Sequence, residues 1–372
     1  MQQPQSSAMP PHMPLPDKII VDQEALNTPL AQRVIQKLPG VAVETLLPGK
    51  HISELVSGSN SPTIYLKHYR GKFLRPCPAT KYYRCCGYQI IHTGENCPLN
   101  CSYCILQAYF QDNILKVWAN QQDLWTELDA AFGMDKSRLF RTGTGEFTDS
   151  LALEHLTQYS SDLVQFLQDY PNVRLELKSK IIDLTWVDKI SACQGILPAW
   201  SVNSPDIISS EEPGAALLEE RLKAARQCAD HGFRVCLHFD PIIHYPDWKS
   251  GYSKTVEMIL DYLKPGNIAY ISLGSFRYMS GLKEKITQNH PGSTYILNEF
   301  VTGLDGKTRL LRPMRVEQFR LIADKLRKGG ISRQLYFCME SDMVWQDVLG
   351  YTPKTLGGLA NHLLSLSFQN PP

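Results

Sequence analysis

Strand-like and helix-like segments alternate between residues 84 and 300, and this alternation limits the possible folds more than any other feature. Six apolar strand patterns occur there, from YQIIHT and RLFRTGT to NIAYISLGSF, and amphipathic segments separate several of them. Strands that alternate with helices pair in parallel through right-handed crossovers. Six units are too many for a small doubly wound sheet and too few for an eight-fold barrel. We therefore predict an open, partial barrel with its site at the carboxyl ends of its strands.

The segments on either side predict a four-part organisation. Residues 1–17 are rich in Pro, Gln and Ser, which predicts a disordered tail. Residues 18–83 predict a small α/β cap, and residues 84–300 the partial barrel. Residues 301–372 begin with a hairpin that turns at Asp-Gly, followed by a basic helix and a tail. The predicted fold is α/β, a partial (β/α)6 barrel with an N-terminal cap and a C-terminal hairpin/helix extension.

Composition narrows the class of protein. Lys and Arg number 38 against 37 Asp and Glu, so the formal net charge of +1 creates no general field for nucleic acid. No apolar run reaches the roughly 20 residues of a membrane span, and the first residues lack a secretory pattern. Ten cysteines without an export signal predict reduced thiols in the cytoplasm. Four cysteines sit singly and are expected in the core: Cys193, Cys228, Cys236 and Cys338.

The other six cysteines fall between residues 77 and 104, and three of them, Cys97, Cys101 and Cys104, follow the first strand of the alternating region. A closed zinc site needs four ligands, usually as two close Cys pairs, and only one such pair exists here. The fourth zinc ligand would be His92, Cys85 or Cys86. Three unliganded thiols are a second alternative. A 4Fe-4S cluster held by three thiolates would leave one iron open to a non-protein ligand, and the spacing favours this interpretation.

The Cys-x-x-x-Cys-x-x-Cys loop resembles that of radical S-adenosylmethionine enzymes, which have a partial βα barrel. More narrowly, VDQEALNTPLAQRVIQKLPGVAVET, TDSLALEHLT, LELKSK, WSVNS and RLKAARQCADHGFRVCLHFDPIIHYPDWKSGY resemble, in this order, the spore photoproduct lyase family over about residues 18–340. The resemblance implies a radical-SAM barrel with a 4Fe-4S cluster. It also implies that S-adenosylmethionine binds the free iron and yields a 5′-deoxyadenosyl radical.

The resemblance further implies roles for individual residues. Glu146 in GTGEF would bind the amino group of S-adenosylmethionine, or be a solvated loop acid. The remaining cofactor-binding residues would be Tyr103, Thr148, Lys178, Ser201 and Asn203. Lys178 could instead be ion-paired, and Ser201 and Asn203 could cap the next segment. His238 and Asp240 lie two apart on one strand face. They are candidates for acid–base catalysis or for a polar pair that closes the barrel mouth.

Two residues depart from the family pattern. The hydrogen-donating cysteine of the lyase aligns with Glu146 or Phe147, and Ile105 stands where the lyase has a tyrosine used in radical relay. Return of a hydrogen atom therefore needs another donor here. Cys77, Cys85 and Cys86 precede the cluster loop and are absent from the lyase. Cys85 and Cys86 are thus candidate catalytic thiols; a second metal site and simple packing are the alternatives.

A basic segment at residues 309–333 has a local excess of six positive charges. It predicts contact with phosphate unless its arginines are only solvated. The first functional hypothesis is a lyase-like radical enzyme acting on DNA lesions or a nucleotide base. The second is the same enzyme class with a non-DNA substrate, and the third is a non-catalytic metal- or nucleic-acid-binding protein. For the enzyme we expect a monomer that takes electrons from a flavodoxin or ferredoxin.

Overall fold

The computed structural model describes residues 15–56, 62–78, 82–110, 112–190 and 193–369. The predicted disordered tail, residues 1–17, therefore lies almost wholly outside the described residues. Within the ranges described, no helix combines the length and the apolar character needed to cross a membrane.

The described residues form sixteen strands in three sheets. In chain order the strands are β1 (Lys18–Asp22), β2 (Ala42–Leu46), β3 (Thr63–Lys67), β4 (Leu74–Pro76), β5 (Gln89–Ile91), β6 (Gly94–Glu95), β7 (Leu115–Trp118), β8 (Phe140–Gly143), β9 (Val173–Ser179), β10 (Ile196–Ser201), β11 (Val235–Ile242), β12 (Ile268–Ser275), β13 (Arg277–Tyr278), β14 (Phe300–Thr302), β15 (Thr308–Leu310) and β16 (Leu335–Phe337).

The same residues contain twelve α-helices. They are α1 (Pro29–Lys37), α2 (Leu106–Tyr109), α3 (Gln121–Gly133), α4 (Glu154–Thr157), α5 (Tyr159–Phe166), α6 (Pro205–Glu211), α7 (Leu218–Asp230), α8 (Trp248–Tyr262), α9 (Leu282–Asn289), α10 (Arg312–Lys328), α11 (Asp342–Leu349) and α12 (Leu359–Phe368).

The largest sheet is the partial barrel, with eight strands in the order β16-β12-β11-β10-β9-β8-β5-β4. The six predicted strands, β5 and β8 to β12, pair in parallel with their neighbours. Strand β16 adds a parallel strand at one edge, and β4 adds an antiparallel strand at the other. The partial (β/α)6 barrel is confirmed, and its edges are extended by one strand each.

A second sheet, in the order β2-β1-β3-β7-β6, forms the core of the N-terminal α/β cap. Strands β6 and β7 come from beyond residue 83, and they pair antiparallel on either side of the cysteine loop. A Cβ atom on Gly94 would lie 2.3 Å from the carbonyl oxygen of Lys116, so only glycine allows these strands to approach so closely. The base of the loop is thus fixed by this sheet. The domain boundaries at 83 and 300 stay a prediction.

Residues 154–166 form two helices, α4 and α5, instead of one. Gln158 adopts a left-handed conformation with φ of 50° between them. The buried carboxylate of Glu154 accepts hydrogen bonds from the backbone amides of Ser160 and Ser161, both at 2.8 Å. The carboxylate therefore satisfies the free amides at the start of α5, which a continuous helix would bond internally.

The C-terminal extension contains the predicted hairpin, β14 and β15, which pair antiparallel. It also contains two helices, α11 and α12, in a region whose sequence gave little signal. Leu359, Leu363 and Leu366 of α12 are buried at helical spacing. The main core packs between the barrel sheet and its helices, and β16 contributes to it through Phe337.

Replacing Phe337 by alanine should destabilise the barrel edge. Its ring is fully buried and stacks on Phe319 with centroids 4.8 Å apart. We expect Phe337→Ala to lower the free energy of unfolding by about 3–5 kcal/mol because it leaves a cavity. Urea unfolding measures this change. Met134→Ala is the control, since Met134 is 87% exposed, and its effect should stay within about 0.5 kcal/mol. Equal effects of the two variants would contradict the packing described.

Candidate active site

A cavity of about 650 Å³ lies where the loops after the barrel strands converge. Its wall brings together segments that are far apart in sequence: the cysteine loop, the Gly-Glu loop and the ends of β9, β10 and β11. The predicted site residues that line it are Cys97, Cys101, Tyr103, Cys104, Glu146, Thr148, Lys178, Ser201 and Asp240. The four others, Cys85, Cys86, Asn203 and His238, lie outside the lining.

The cysteine loop is shaped by two asparagines in the left-handed region, Asn96 with φ of 70° and Asn100 with φ of 50°. Asparagine tolerates this conformation better than most residues. The side-chain amide of Asn96 donates to the carbonyl oxygens of Asp112 and Ile114, both at 2.9 Å, and so holds the two sides of the loop together. The loop can therefore present its thiols to the cavity in a fixed arrangement.

Burial raises the pKa of all three loop thiols, and that of Cys101 reaches about 12. A neutral thiol in such a place loses its proton when the sulfur binds a metal. Within the described ranges, no three His, Cys, Asp or Glu side chains are grouped around one point as a single metal ion requires. A cluster does not need that grouping, because each cysteine binds a different iron. Three thiols on one loop that line the same cavity fit the donor set of such a cluster.

Tyr103 is fixed by a buried ion pair behind the cavity wall. Its hydroxyl donates to Glu212, whose other oxygen lies 2.5 Å from Nη2 of Arg221. Arg221 also donates to the carbonyl oxygen of Ser201 at 2.9 Å, so one guanidinium holds both Tyr103 and the end of β10. The ammonium of Lys180 lies 5.7 Å from the centroid of the Tyr103 ring. Sequence reasoning missed this pair, although an arginine on the apolar side of α7 was an available signal.

The Gly-Glu loop is tied to the end of β9. The carboxylate of Asp149 accepts from the amide of Lys180 at 2.9 Å and from the hydroxyl of Ser179 at 2.6 Å. A Cβ atom on Gly145 would lie 3.1 Å from the carbonyl oxygen of Lys178, so the loop approaches the strand closely. These contacts hold Glu146 at the cavity surface.

Lys178 is the charged residue at the centre of this wall. Burial alone would lower its pKa, but nearby carboxylates outweigh burial and raise the pKa above its usual value. The carboxylates belong to Glu146, Glu176 and Asp240. Lys178 therefore stays a cation and can attract an anionic ligand group.

Asp240 and His238 have different partners. Asp240 accepts a hydrogen bond from Nη1 of Arg277 at 3.2 Å. Burial would raise the pKa of Asp240, but Arg277 and Lys178 hold it below its usual value. His238 lies deeper in the barrel, with Nε2 3.3 Å from a carboxylate oxygen of Glu176. Only Asp240 faces the cavity; the acid–base role of the pair stays a prediction.

Asn203 is buried behind the wall rather than in it. Its amide donates to the carbonyl oxygen of Pro241 at 3.2 Å, and its side-chain oxygen accepts from the amide of Ser204 and from Tyr252. These bonds join the loop after β10 to the loop after β11. The direct cofactor contact expected for Asn203 stays a prediction, and its observed contacts position the neighbouring loops.

Ile105 and Phe147 are two residues at which the sequence departs, or is expected to depart, from the family pattern. Ile105 lines the cavity directly after Cys104. The Phe147 ring packs on His92 with centroids 5.0 Å apart and lies 6.5 Å from the ring of Tyr109. His92, a possible zinc ligand in the sequence analysis, is buried in this aromatic cluster, where its ring also contacts Trp118.

Cys85 and Cys86 sit on the connection between β4 and β5. Cys85 is exposed and Cys86 half-buried, and their thiols are hydrogen-bonded to each other. This bond and the nearby guanidinium of Arg141 hold the pKa of Cys86 below its usual value. Cys228 and Cys236 are buried, as predicted. Cys338 is half-buried and packs against the main core, and its sulfur also accepts from Nη2 of Arg277 at 3.4 Å.

Several arginines of the basic segment form ion pairs or hydrogen bonds within the protein. Arg309 is bound by both oxygens of Asp305 at 2.7 Å, and Arg315 lies 2.8 Å from Glu340; both pairs are buried. Arg320 donates to the carbonyl oxygen of Asp347 at 2.5 Å. Arg312, Lys328 and Arg333 of the same segment are exposed, so the contact with phosphate stays a prediction.

Comparison with known proteins gives consistent matches. A family model described as spore photoproduct lyase matches residues 14–303. The spore photoproduct lyase of Geobacillus sp. is 23% identical over 302 residues, covering 77% of this chain and 85% of the relative. That of Bacillus subtilis is 21% identical over 308 residues, with the same shares of 77% and 85%. A solved mutant of spore photoproduct lyase with bound AdoMet and dinucleoside spore photoproduct has a TM-score of 0.74 at 18% identity, covering 87% of this chain and 98% of that chain.

The buried pair behind Tyr103 predicts a pH-dependent stability. Glu212→Gln leaves Arg221 buried without its counter-charge, which should cost about 3–5 kcal/mol at neutral pH. Burial would raise the pKa of Glu212, but Arg221 and Lys180 hold it below its ordinary value of 4.5. The stabilisation is therefore fully present above about pH 4.5 and is lost as pH falls through the lower, folded-state pKa.

Urea unfolding of wild type and Glu212→Gln between pH 3 and pH 7 measures this. The two stabilities should differ most at neutral pH and converge in acid. Glu219→Gln is the control, because Glu219 is exposed on the same stretch of chain, and it should change nothing measurable. A constant difference between wild type and Glu212→Gln at every pH would contradict the ion pair.

Proposed function

The chain belongs to the spore photoproduct lyase family, and we propose that it is a radical S-adenosylmethionine enzyme acting on a lesion in DNA. The observation that carries the proposal is a single cavity lined by three loop cysteines together with Glu146, Lys178 and Ser201. These come from two loops and two strand ends of a barrel whose fold matches that of a relative solved with bound AdoMet and dinucleoside spore photoproduct. Membership of the family does not by itself show that these residues line one cavity.

The proposed cofactors are a 4Fe-4S cluster on Cys97, Cys101 and Cys104, and S-adenosylmethionine. When bound, they would supply a 5′-deoxyadenosyl radical. Glu146 would accept hydrogen bonds from the cofactor's amino group, and the cation of Lys178 would attract a carboxylate. Thr148 and Ser201 offer hydroxyl groups on the same wall. Tyr103, held by Glu212, offers a ring face against which an apolar part of the cofactor can pack.

The substrate would enter from the side of the cavity lined by Asp240, Arg277 and Lys307. Arg277 and Lys307 can bind anionic groups, and Asp240 orients Arg277 through their ion pair. Cys85 and Cys86 remain candidate thiols for the return of a hydrogen atom, and His238 a candidate for proton transfer. We also propose a cytoplasmic monomer supplied with electrons by a flavodoxin or ferredoxin.

A second candidate is an enzyme of the same family whose substrate is not DNA. The specific observation in its favour is the basic segment, where Arg309 and Arg315 are held in buried ion pairs instead of facing a phosphate. The absence of a cysteine at Glu146 or Phe147, where the family's donor cysteine is expected to align, supports it as well. A DNA-bound form should lose affinity steeply with salt, whereas a substrate without phosphates should not.

Anaerobic reconstitution tests the proposed function. The wild type should bind iron and sulfide, and after reduction it should convert S-adenosylmethionine to 5′-deoxyadenosine. Cys101→Ala removes one loop thiol and should lose iron–sulfur binding together with that conversion. Cys228→Ala, in the core away from the cavity, is the matched control and should retain both. Zinc in place of iron, with no cleavage of S-adenosylmethionine, would support a non-catalytic metal-binding protein instead.

A panel of damaged DNA, assayed with the reconstituted wild type, tests the substrate. Formation of 5′-deoxyadenosine should rise with a dinucleoside spore photoproduct or another pyrimidine lesion above the level without substrate. If no DNA or nucleotide raises it while the protein still cleaves S-adenosylmethionine slowly, the second candidate is favoured.

A further inference from the structure

Four cysteines come together where the two edges of the open barrel meet. Cys77 follows edge strand β4, and Cys338 follows β16 at the opposite edge. Cys85 and Cys86 lie on the connection between β4 and β5. We call these four residues the seam cysteines. Backbone and side-chain bonds join the edges, because the amide of Arg84 donates to the carbonyl oxygen of Glu340 at 3.5 Å and its guanidinium to Asp342 at 2.7 Å.

The seam cysteines are neighbours of one another. The thiols of Cys85 and Cys86 are hydrogen-bonded. Cys338 interacts electrostatically with both Cys86 and Cys77, and Cys77 with Cys86. The backbone amide of Cys77 donates to the carbonyl oxygen of Tyr88 at 2.9 Å, which fixes its place beside β5. Closure of the barrel thus brings Cys77 and Cys86 near Cys338, which is more than 250 residues away in the sequence.

Cys338 is the seam cysteine that is joined to the cavity. Nη2 of Arg277 lies 3.4 Å from its sulfur, and Nη1 of the same guanidinium lies 3.2 Å from Asp240. Both Arg277 and Asp240 line the cavity, and so does Met339, the residue after Cys338. The backbone amide of Cys338 donates to the carbonyl oxygen of Leu273 at 3.0 Å, so its position is fixed by the sheet.

The surroundings of Cys338 suit a donor of hydrogen atoms. Because Arg277 donates to the sulfur, the thiol hydrogen is free to point elsewhere, including toward a substrate. A hydrogen-atom donor must also keep its hydrogen. Burial, together with Asp240, raises the pKa of Cys338 well above its usual value, so the protonated thiol dominates at neutral pH.

We propose that Cys338 returns the hydrogen atom to the substrate radical in this chain, in place of the cysteine that the family carries at the position of Glu146 or Phe147. This assignment rests on the proposed function. In the step, the S–H bond of Cys338 breaks homolytically, a C–H bond forms on the product carbon, and sulfur is left as a thiyl radical. The thiyl radical regains a hydrogen atom from the methyl group of 5′-deoxyadenosine. No external oxidant or reductant is consumed.

The other thiols suit this step less well. Cys236 is fully buried inside the barrel, and Cys85 lines a separate surface cleft with Lys354 and Asn361. Cys86 interacts with Arg141, which favours its thiolate, and a thiolate has no hydrogen atom to give.

Isotope transfer from solvent tests the donor. Thiol hydrogens exchange with deuterium oxide, so reconstituted wild type given the dinucleoside spore photoproduct should place one deuterium in the product. Cys338→Ser and Cys338→Ala should lose this incorporation while still forming 5′-deoxyadenosine. Cys228→Ala should retain it. Retention by both Cys338 variants, or loss in Cys77→Ser or Cys86→Ser alone, would overturn the assignment to Cys338.

A failure of the proposed function looks different, because the wild type would then form no product from the lesion, with or without deuterium. A second readout needs no cofactor. Mild oxidation of the protein with diamide, followed by peptide mass spectrometry, should join Cys338 to Cys77 or Cys86. Cys338 that stays reduced while Cys85 and Cys86 oxidise would place it away from the seam and overturn the proposal.

Discussion

Parallel pairing of six neighbouring strands is the constraint on which the site depends. Because β5 and β8 to β12 run in the same direction, the chain leaves each strand at the same edge of the sheet. Loops separated by more than 100 residues therefore meet there, and Cys101, Glu146 and Asp240 line one cavity. No single loop contains enough groups to form such a site by itself.

A group of buried polar side chains lies inside the barrel, beneath this edge. Glu176 accepts hydrogen bonds from Tyr88 at 3.0 Å and from Tyr270, and Arg141 lies 4.9 Å from the Tyr88 ring centroid. Burial would raise the pKa of Glu176, but His238 and the nearby cations hold it well below its usual value. A buried, charged network thus lies beneath the cavity. A network of this kind is costly to disturb, since each unpaired buried group carries a large penalty.

Local sequence patterns were sufficient to predict the six barrel strands, the hairpin and the cysteine loop. The strands follow from apolar runs, the hairpin from its Asp-Gly turn and the loop from the spacing of its cysteines. These patterns could not predict contacts made by closure of the sheet. Cys338 looked like a core residue in YFCMES, yet it meets Arg277 because β16 returns to the barrel edge. Local sequence also did not predict that the side-chain amide of Asn203 hydrogen-bonds to Pro241 and Ser204. Local sequence also gave no reason to pair Glu212 with Arg221 behind Tyr103.

We propose that the chain combines a set of cofactor-binding residues with a different hydrogen-atom donor. The central claim is that the three loop cysteines hold a cluster with one open iron in this cavity. Electron paramagnetic resonance of the reduced, anaerobically reconstituted protein, with and without S-adenosylmethionine, tests it most directly. We predict a signal of a reduced 4Fe-4S cluster whose g values shift when S-adenosylmethionine is added. A signal that S-adenosylmethionine leaves unchanged, or no iron–sulfur signal, would contradict the account.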